Sequence, residues 1–291
     1  MKPRDVLLAL LVPVLWGMGL VFAKAALDHF PPILLMAFRF ALTAVILVWF
    51  VKPPKGLFSQ IAWVAFVSAT IQYGFTFTGL KFLDASTAVI LIQLEVPFGV
   101  LIAALWLKEY VGWRRAIGIA IAFVGVFFIA GQPRLHGSVL PMLMVVCGAL
   151  TWAIGQNMVK KLGVLGGFRL TAWVAVFATP QLFVASFIFE TGQIEAIINA
   201  DWVVWGAVIY LALVMTALGY GIWYRLLGLY DVKQVMPYLL SIPDSTVLGS
   251  VMLLGEILTL DIIIGGSIVI VGVGLITIEL GQRKESLKRQ L

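Results

Sequence analysis

Three ionisable residues stand inside long apolar runs of this sequence: Arg39, Glu95 and Asp244. A charge near the middle of a bilayer costs at least about 2.5–3.5 kcal/mol unless it faces protein or water. The two carboxylates therefore read as positions that receive an ammonium group or take up a proton, with Arg39 beside them. The structural alternative is an Arg39–Glu95 pair that only locks two helices together. Aromatic residues recur nearby as related pairs, Trp16 with Trp152, Tyr73 with Tyr220 and Phe77 with Tyr224, with Trp223 adjacent. Such rings pack against an apolar side chain and attract an ammonium with about 0.5–2 kcal/mol each; core packing or an interfacial belt is the other reading. Gln72, Gln93, Gln156 and Asn157 add neutral hydrogen-bonding groups, able to orient a cargo carboxylate or to tie helix to helix.

Other chemistries find no purchase. The chain has no Gly-x4-Gly-Lys-Ser/Thr phosphate loop, no His-Glu-x-x-His pair and no Gly-x-Ser-x-Gly elbow. Its two histidines, His29 and His136, fall near the outer surface, so no catalytic residue, metal or cofactor is expected. Cys147 is the only cysteine, which excludes an internal disulfide and reads as a packing residue.

The elements that must position these residues follow from composition. With 62% hydrophobic and 12% charged residues in 291, the chain is a membrane protein. Apolar runs long enough to span about 30 Å as helices fall near 6–27, 33–51, 59–80, 86–107, 113–130, 138–160, 168–190, 202–225, 232–254 and 262–281. The expectation is an all-α integral membrane fold of ten helices. At about 1.5 Å per residue, Glu95 and Asp244 both lie about 15 Å below the outer surface and Arg39 about 9 Å, deep enough to meet. Pro97, Pro180, Pro237 and Pro243 each remove a helical hydrogen bond and predict kinks, with Pro97, Pro237 and Pro243 as hinges. Gly118, Ala122, Gly125 and Gly265, Gly272 have close-packing spacing.

The chain is also a duplication. Trp16, Gly19 and Lys24 return 136 residues later as Trp152, Gly155 and Lys160; at an offset of 147, Tyr73-Gly74 pairs with Tyr220-Gly221, Glu109 with Glu256 and Gly118 with Gly265. A five-helix unit enters on one side and leaves on the other, so its copy sits upside down: repeats 1–131 and 132–291, inverted around a central cavity. Placing both termini in the cytoplasm puts 16 of the 20 lysines and arginines at inner helix ends. Those loops account for the net charge of +6 without a nucleic-acid partner. Ala23-Lys24-Ala25 superficially resembles a signal-peptidase site, but the helix before it has a counterpart in the sixth and is expected to stay. Glu109 and Glu256 are expected to cap the first turn of the following helix, and Lys24 and Lys160 to snorkel to headgroups or the preceding carbonyls.

The Trp-Gly-x-Gly element of the first helix with Lys24 near its end, Pro32 and Arg39 in the second, Pro97 and Lys108-Glu109 in the fourth, and the Gly-rich fifth resemble the EamA-type branch of the drug/metabolite transporter superfamily. The resemblance spans roughly residues 6–281, and within that branch the chain is similar to bacterial exporters of aromatic and apolar amino acids. It implies alternating-access export of small metabolites from the inner membrane, with a small-molecule substrate, the lipid bilayer as the only other partner and a plausible monomer. A multidrug or cation exporter of the same fold, and a non-transporting receptor or assembly subunit, are the other readings. One position departs from the pattern: under the 147 offset Pro97 pairs with Asp244 while Val96 pairs with Pro243, and Asp244 stands where the family has an apolar or small residue.

Overall fold

A computed structural model describes residues 1–106, 108, 110–131, 139–162, 166–230 and 235–288, with the side chains of 224, 227, 228, 236, 237 and 278–288 outside that description. All regular structure among the described residues is helical. Nine helices there are long and apolar enough to cross a membrane: α1 (Pro3–Ala26), α2 (Pro32–Phe50), α3 (Phe58–Lys81), α4 (Ala85–Trp106), α5 (Trp113–Ala130), α6 (Val139–Leu162), α7 (Gly167–Phe189), α8 (Trp202–Trp223) and α10 (Leu260–Thr277). Between the last two lies a shorter apolar helix, α9 (Tyr238–Leu254). Nine of the ten expected spans coincide with these helices to within a few residues, because apolar run length sets what can cross; the expected span 232–254 begins on residues outside the described ones, and the apolar helix described there is shorter.

The helices pair across the duplication. α2 packs on α7, α3 on α6, α1 on α9 and α8, α4 on α6 and α9, and α5 on α10. The α5–α10 seam sets backbone against backbone. A Cβ on Gly118 would stand 2.7 Å from Gly272 O, and one on Gly125 would stand 2.8 Å from Gly265 O. Since 118 meets 272 while 125 meets 265, the two helices run antiparallel, and small residues bring their backbones into contact where lipid offers no hydrophobic drive to associate. α2 and α7 are antiparallel too: Ile33 and Leu34 at the start of α2 meet Glu190 just past α7, and Arg169 near the start of α7 bonds Lys52 O and Pro53 O beyond α2. Cys147, expected to pack, is instead exposed on α6.

Two irregularities recur at matching places in both halves. α3 contains a π-helical stretch, Phe66–Ile71, and α8 contains one at Tyr210–Leu218; their C-terminal ends, Ile71 and Leu218, coincide under the 147 offset. Thr216 Oγ1 donates to Leu211 O five residues back at 2.7 Å, the wide spacing of a π turn. The second irregularity interrupts α4 and the approach to α9. α4 stops at Ile92 and restarts at Glu95, with Gln93 and Leu94 making tight bonds to Ile90 O and Leu91 O. Pro97 is the local cause, since it has no N–H to offer the Gln93 carbonyl, which Val96 N–H takes at 3.2 Å instead. In the second half a 3₁₀ turn, Met236–Ser241, passes into α-helix at Ile242, with Pro243 in the first turn. Pro180 behaves differently: α7 continues through it.

Long-range side-chain caps fasten the helix ends. The Glu256 carboxylate accepts from Ala85 N–H, from Ser86 N–H at 3.1 Å and from Ser86 Oγ at 2.7 Å, so it caps α4 and not the helix that follows it. Its position after Gly255, a left-handed residue at φ 67° ending α9, turns the carboxylate back toward α4. Glu109, the expected counterpart, lies outside the described residues. Lys24 does reach carbonyls, but those of Leu80 (3.1 Å) and Lys81 (2.8 Å) at the end of α3 rather than its own helix. Glu190 caps α2 through Ile33 N–H (2.7 Å) and Leu34 N–H (3.0 Å), a role unread in the sequence because its partners lie 156 and 157 residues away. Glu256→Ala is expected to cost about 1–3 kcal/mol by removing charge-assisted bonds at a helix N-terminus, with Glu256→Gln recovering part of it. Thermal melting of the detergent-solubilised protein reads both, and an unchanged melt for Glu256→Ala would refute the cap.

Candidate functional site

Between the two halves lies a cavity of about 250 Å³. Its walls are Trp16 and Leu20 of α1, Gln72, Tyr73, Thr76 and Phe77 of α3, Val89, Ile92, Gln93, Glu95 and Val96 of α4, Trp152 of α6, Met215 and Tyr220 of α8, Leu239, Leu240 and Ile242 at α9, and Val273 and Thr277 of α10. Fully buried residues continue along the ends of α1 and α3 and the start of α4: Ala23 and Ala26, Leu80, and Ala85 through Leu91. The irregular segments place the wall. Gln93 and Glu95 at the α4 break line the wall, as do the residues after each π stretch, Gln72-Tyr73 and Tyr220.

Among the described residues, Glu95 is the only charged one on this wall. It is half-buried, and no described residue hydrogen-bonds to its carboxyl or pairs with it. The aromatic side is well ordered. Trp16 Nε1 donates to Met215 O at 3.1 Å, and its ring stands 4.9 Å from Tyr220 and 5.9 Å from Trp223. Tyr73 stacks on Phe77 at 5.4 Å and meets Phe40 edge-on at 5.2 Å. Gln72 Nε2 donates to Thr76 Oγ1 at 3.1 Å, while its buried Oε1 has no partner among the described residues. The arrangement can hold a small molecule with one cationic nitrogen and an apolar body, solvated by rings and amides. At about 250 Å³ it lies just below the roughly 300–1,000 Å³ of drug-sized sites.

Several sequence expectations are redirected. Asp244 is exposed and outside the cavity: it shares the outward face of α9 with Leu248 and Met252, while Pro243, Thr246, Gly249 and Ser250 pack inward. Under the 147 offset Asp244 stands two residues past the counterpart of Glu95, which turns it about 200° from the face that Glu95 occupies in α4. Ile242, the true counterpart of Glu95, lines the wall instead. Arg39 pairs with neither carboxylate. It is 1% exposed, its Nε and Nη2 donating to Thr216 Oγ1 at 3.3 and 3.1 Å, with its guanidinium 4.9 Å from the Tyr73 ring centre. Both the predicted charge cluster and the Arg39–Glu95 pair are therefore absent among the described residues. Trp223 packs in a small core with Ala9, Val12, Leu226 and Val235. Gln156 is exposed on α6 and off the wall. Asn157 bonds Gly99 O (3.3 Å) and Ala153 O (2.9 Å), tying α6 to α4. The Tyr224 and Pro237 side chains lie outside the described residues. Thr216, Met215 and Ile242 were not singled out from sequence; no residue type signals a π stretch, and only the 147 offset marks Ile242.

Comparison with known proteins fits this geometry. The model of the EamA-like transporter family matches residues 4–131 and again 139–278. A "Probable amino-acid metabolite efflux pump" of Salmonella typhimurium is 31% identical over 89% of this chain and 90% of its own length, as is the Escherichia coli protein of the same name. An uncharacterized transporter of Archaeoglobus fulgidus is 25% identical over 92% of this chain and 96% of its own. A solved crystal structure at 16% identity superposes with a TM-score of 0.65, covering 98% of this chain and 100% of that one, which supports the fold alone. Relatives across this set are named as transporters or efflux pumps, and two matched units fill nearly the whole chain: it belongs to the EamA-like transporter family and is a multi-pass membrane transporter.

Proposed function

We propose that this transporter exports small amphipathic metabolites bearing an ammonium group, amino acids foremost, across a bacterial inner membrane by alternating access. The observation that carries the reading is Glu95, a carboxylate with no partner among the described residues, on the wall of a small aromatic cavity. The names of the two relatives at 31% identity point the same way. In this reading the chain is ten helices in two inverted repeats, 1–131 and 132–291, a topology supported by the antiparallel α5–α10 and α2–α7 pairs. Both termini are cytoplasmic on the positive-inside argument. The buried residues Ala23, Ala26, Leu80 and Ala85 to Leu91 then lie toward the outer side, and in this reading cargo loads from the cytoplasm. The paired π stretches and the break in each half are the hinges: a wide turn or missing bond lets the two ends of a helix move separately.

A second reading keeps the fold and changes the cargo to a monocationic amine, because the described cavity wall carries no Lys, Arg or His to meet a cargo carboxylate. Counterflow of labelled phenylalanine, methionine and threonine into proteoliposomes, with and without an imposed proton gradient, separates the two. Saturable exchange of at least one of them is expected. No exchange of any amino acid, with exchange of a simple amine, would transfer the cargo to the second reading.

A further inference from the structure

Arg39 is the buried charge that the cavity wall does not use. It lies in α2, fully enclosed, and the only oxygen its guanidinium meets among the described residues is Thr216 Oγ1, shared by Nε and Nη2; Nη1 faces Met36 Sδ at 3.8 Å. One hydroxyl and the faces of Tyr73 (4.9 Å) and Phe40 (5.5 Å) stand in for a carboxylate. A guanidinium has five N–H donors in a fork that fits a carboxylate bidentately, so this environment leaves its strongest interaction unmade. The cover is thin: the Tyr73 ring is at once the lid over Arg39 and a wall of the cavity, and Thr216 follows Met215, another wall residue, inside the π stretch of α8.

We infer that Arg39, one aromatic ring behind the wall, is the subsite for the cargo's carboxylate, uncovered when Tyr73 and the α8 π stretch shift. The inference rests on the amino-acid reading above and deepens it. Glu95 takes the ammonium, Arg39 the carboxylate on the same carbon, and the aromatic rings of the cavity the side chain, so a zwitterion enters without net charge imbalance. Thr216 acts as the placeholder acceptor that a cargo carboxylate replaces, which is why a hydroxyl suffices there.

The test compares two cargos that differ only in the carboxylate, phenylalanine and phenethylamine, by counterflow in proteoliposomes of the full chain. Arg39→Gln is expected to reduce phenylalanine exchange at least tenfold relative to phenethylamine exchange, and Arg39→Lys to restore part of the ratio. Thr216→Val, which removes the placeholder and preserves shape, is expected to lower the apparent KM for phenylalanine about threefold and leave that for phenethylamine unchanged. It decides the matter if Arg39→Gln fails to fold. Equal loss of both cargos in Arg39→Gln, or an unmoved ratio in Thr216→Val, would overturn the subsite alone. Failure of the wild-type protein to exchange phenylalanine while exchanging phenethylamine would overturn the amino-acid reading beneath it.

Discussion

Replacing Glu95 by Gln is expected to lower exchange of ammonium-bearing cargo by about 100-fold. The substitution keeps the shape and one acceptor but removes the only charge on the described cavity wall. A 100-fold loss corresponds to about 2.7 kcal/mol, within the range for hydrogen bonds to charged groups away from bulk water. A carboxylate that binds a cationic nitrogen also binds a proton, so the two compete. Wild-type exchange is therefore expected to fall as pH drops through the range in which Glu95 protonates, and Glu95→Gln exchange to be flat with pH. The paired control is Asp244→Asn: on the outward face of α9 beside Leu248 and Met252, it is expected to stay within about twofold of wild type. Full activity in Glu95→Gln, or an equally large loss in Asp244→Asn, would remove Glu95 from the cargo site. Rates measured in proteoliposomes of matched protein content settle it.

The second large effect is on folding. Gly272→Ala is expected to destabilise the protein by about 3 kcal/mol, the upper end for overpacking, because the new Cβ would meet backbone on two sides. It would stand 2.6 Å from Ala122 N and 2.7 Å from Gly118 O, atoms that cannot swing aside as a side chain can. Relief requires α5 and α10 to separate along a seam whose attraction is van der Waals contact between backbones. Two residues on in the same helix, a Cβ on Gly274 would meet nothing within 4 Å among the described residues. Gly274→Ala is accordingly expected to be neutral or stabilising by up to about 1 kcal/mol, from helix propensity alone. The difference between the two alanine variants in thermal melting isolates packing from propensity. Matching melts would refute the seam.

What the sequence discloses here divides by range. The spans are legible because apolar length is a local property that the bilayer reads directly. The cavity wall is largely legible as well: Trp16, Gln72, Tyr73, Gln93, Glu95, Trp152 and Tyr220 line it together, and they sit where polar or aromatic residues interrupt apolar runs. Asp244 misleads because equal depth does not mean equal facing: it stands two residues, about 200° of helix turn, past the counterpart of Glu95, and residue type carries no trace of that rotation. Gln156 misleads for a related reason: its neighbours Gly155 and Asn157 pack inward while it points away. The caps formed by Lys24, Glu190 and Glu256 are invisible to local pattern, since each closes a helix belonging to another part of the chain. The π stretches leave no composition signal at all; only their coincidence at Ile71 and Leu218 shows that they are part of the repeat rather than accidents of one helix.

The presence of Ile242, and not a second glutamate, at the duplicated position bears on stoichiometry. Two identical repeats would face one another with two carboxylates and could carry two positive charges per cycle. This chain presents one on the described wall, with an isoleucine at the duplicated position. In this reading a turnover neutralises one cationic nitrogen or one proton there, never both: exchange of a monocation for a proton is then electrically silent and draws only on the pH gradient, while exchange of a net-neutral amino acid for a proton moves one charge and draws on the membrane potential too. The asymmetry of one acidic side chain between the repeats thus sets the currency in which the carrier can be driven.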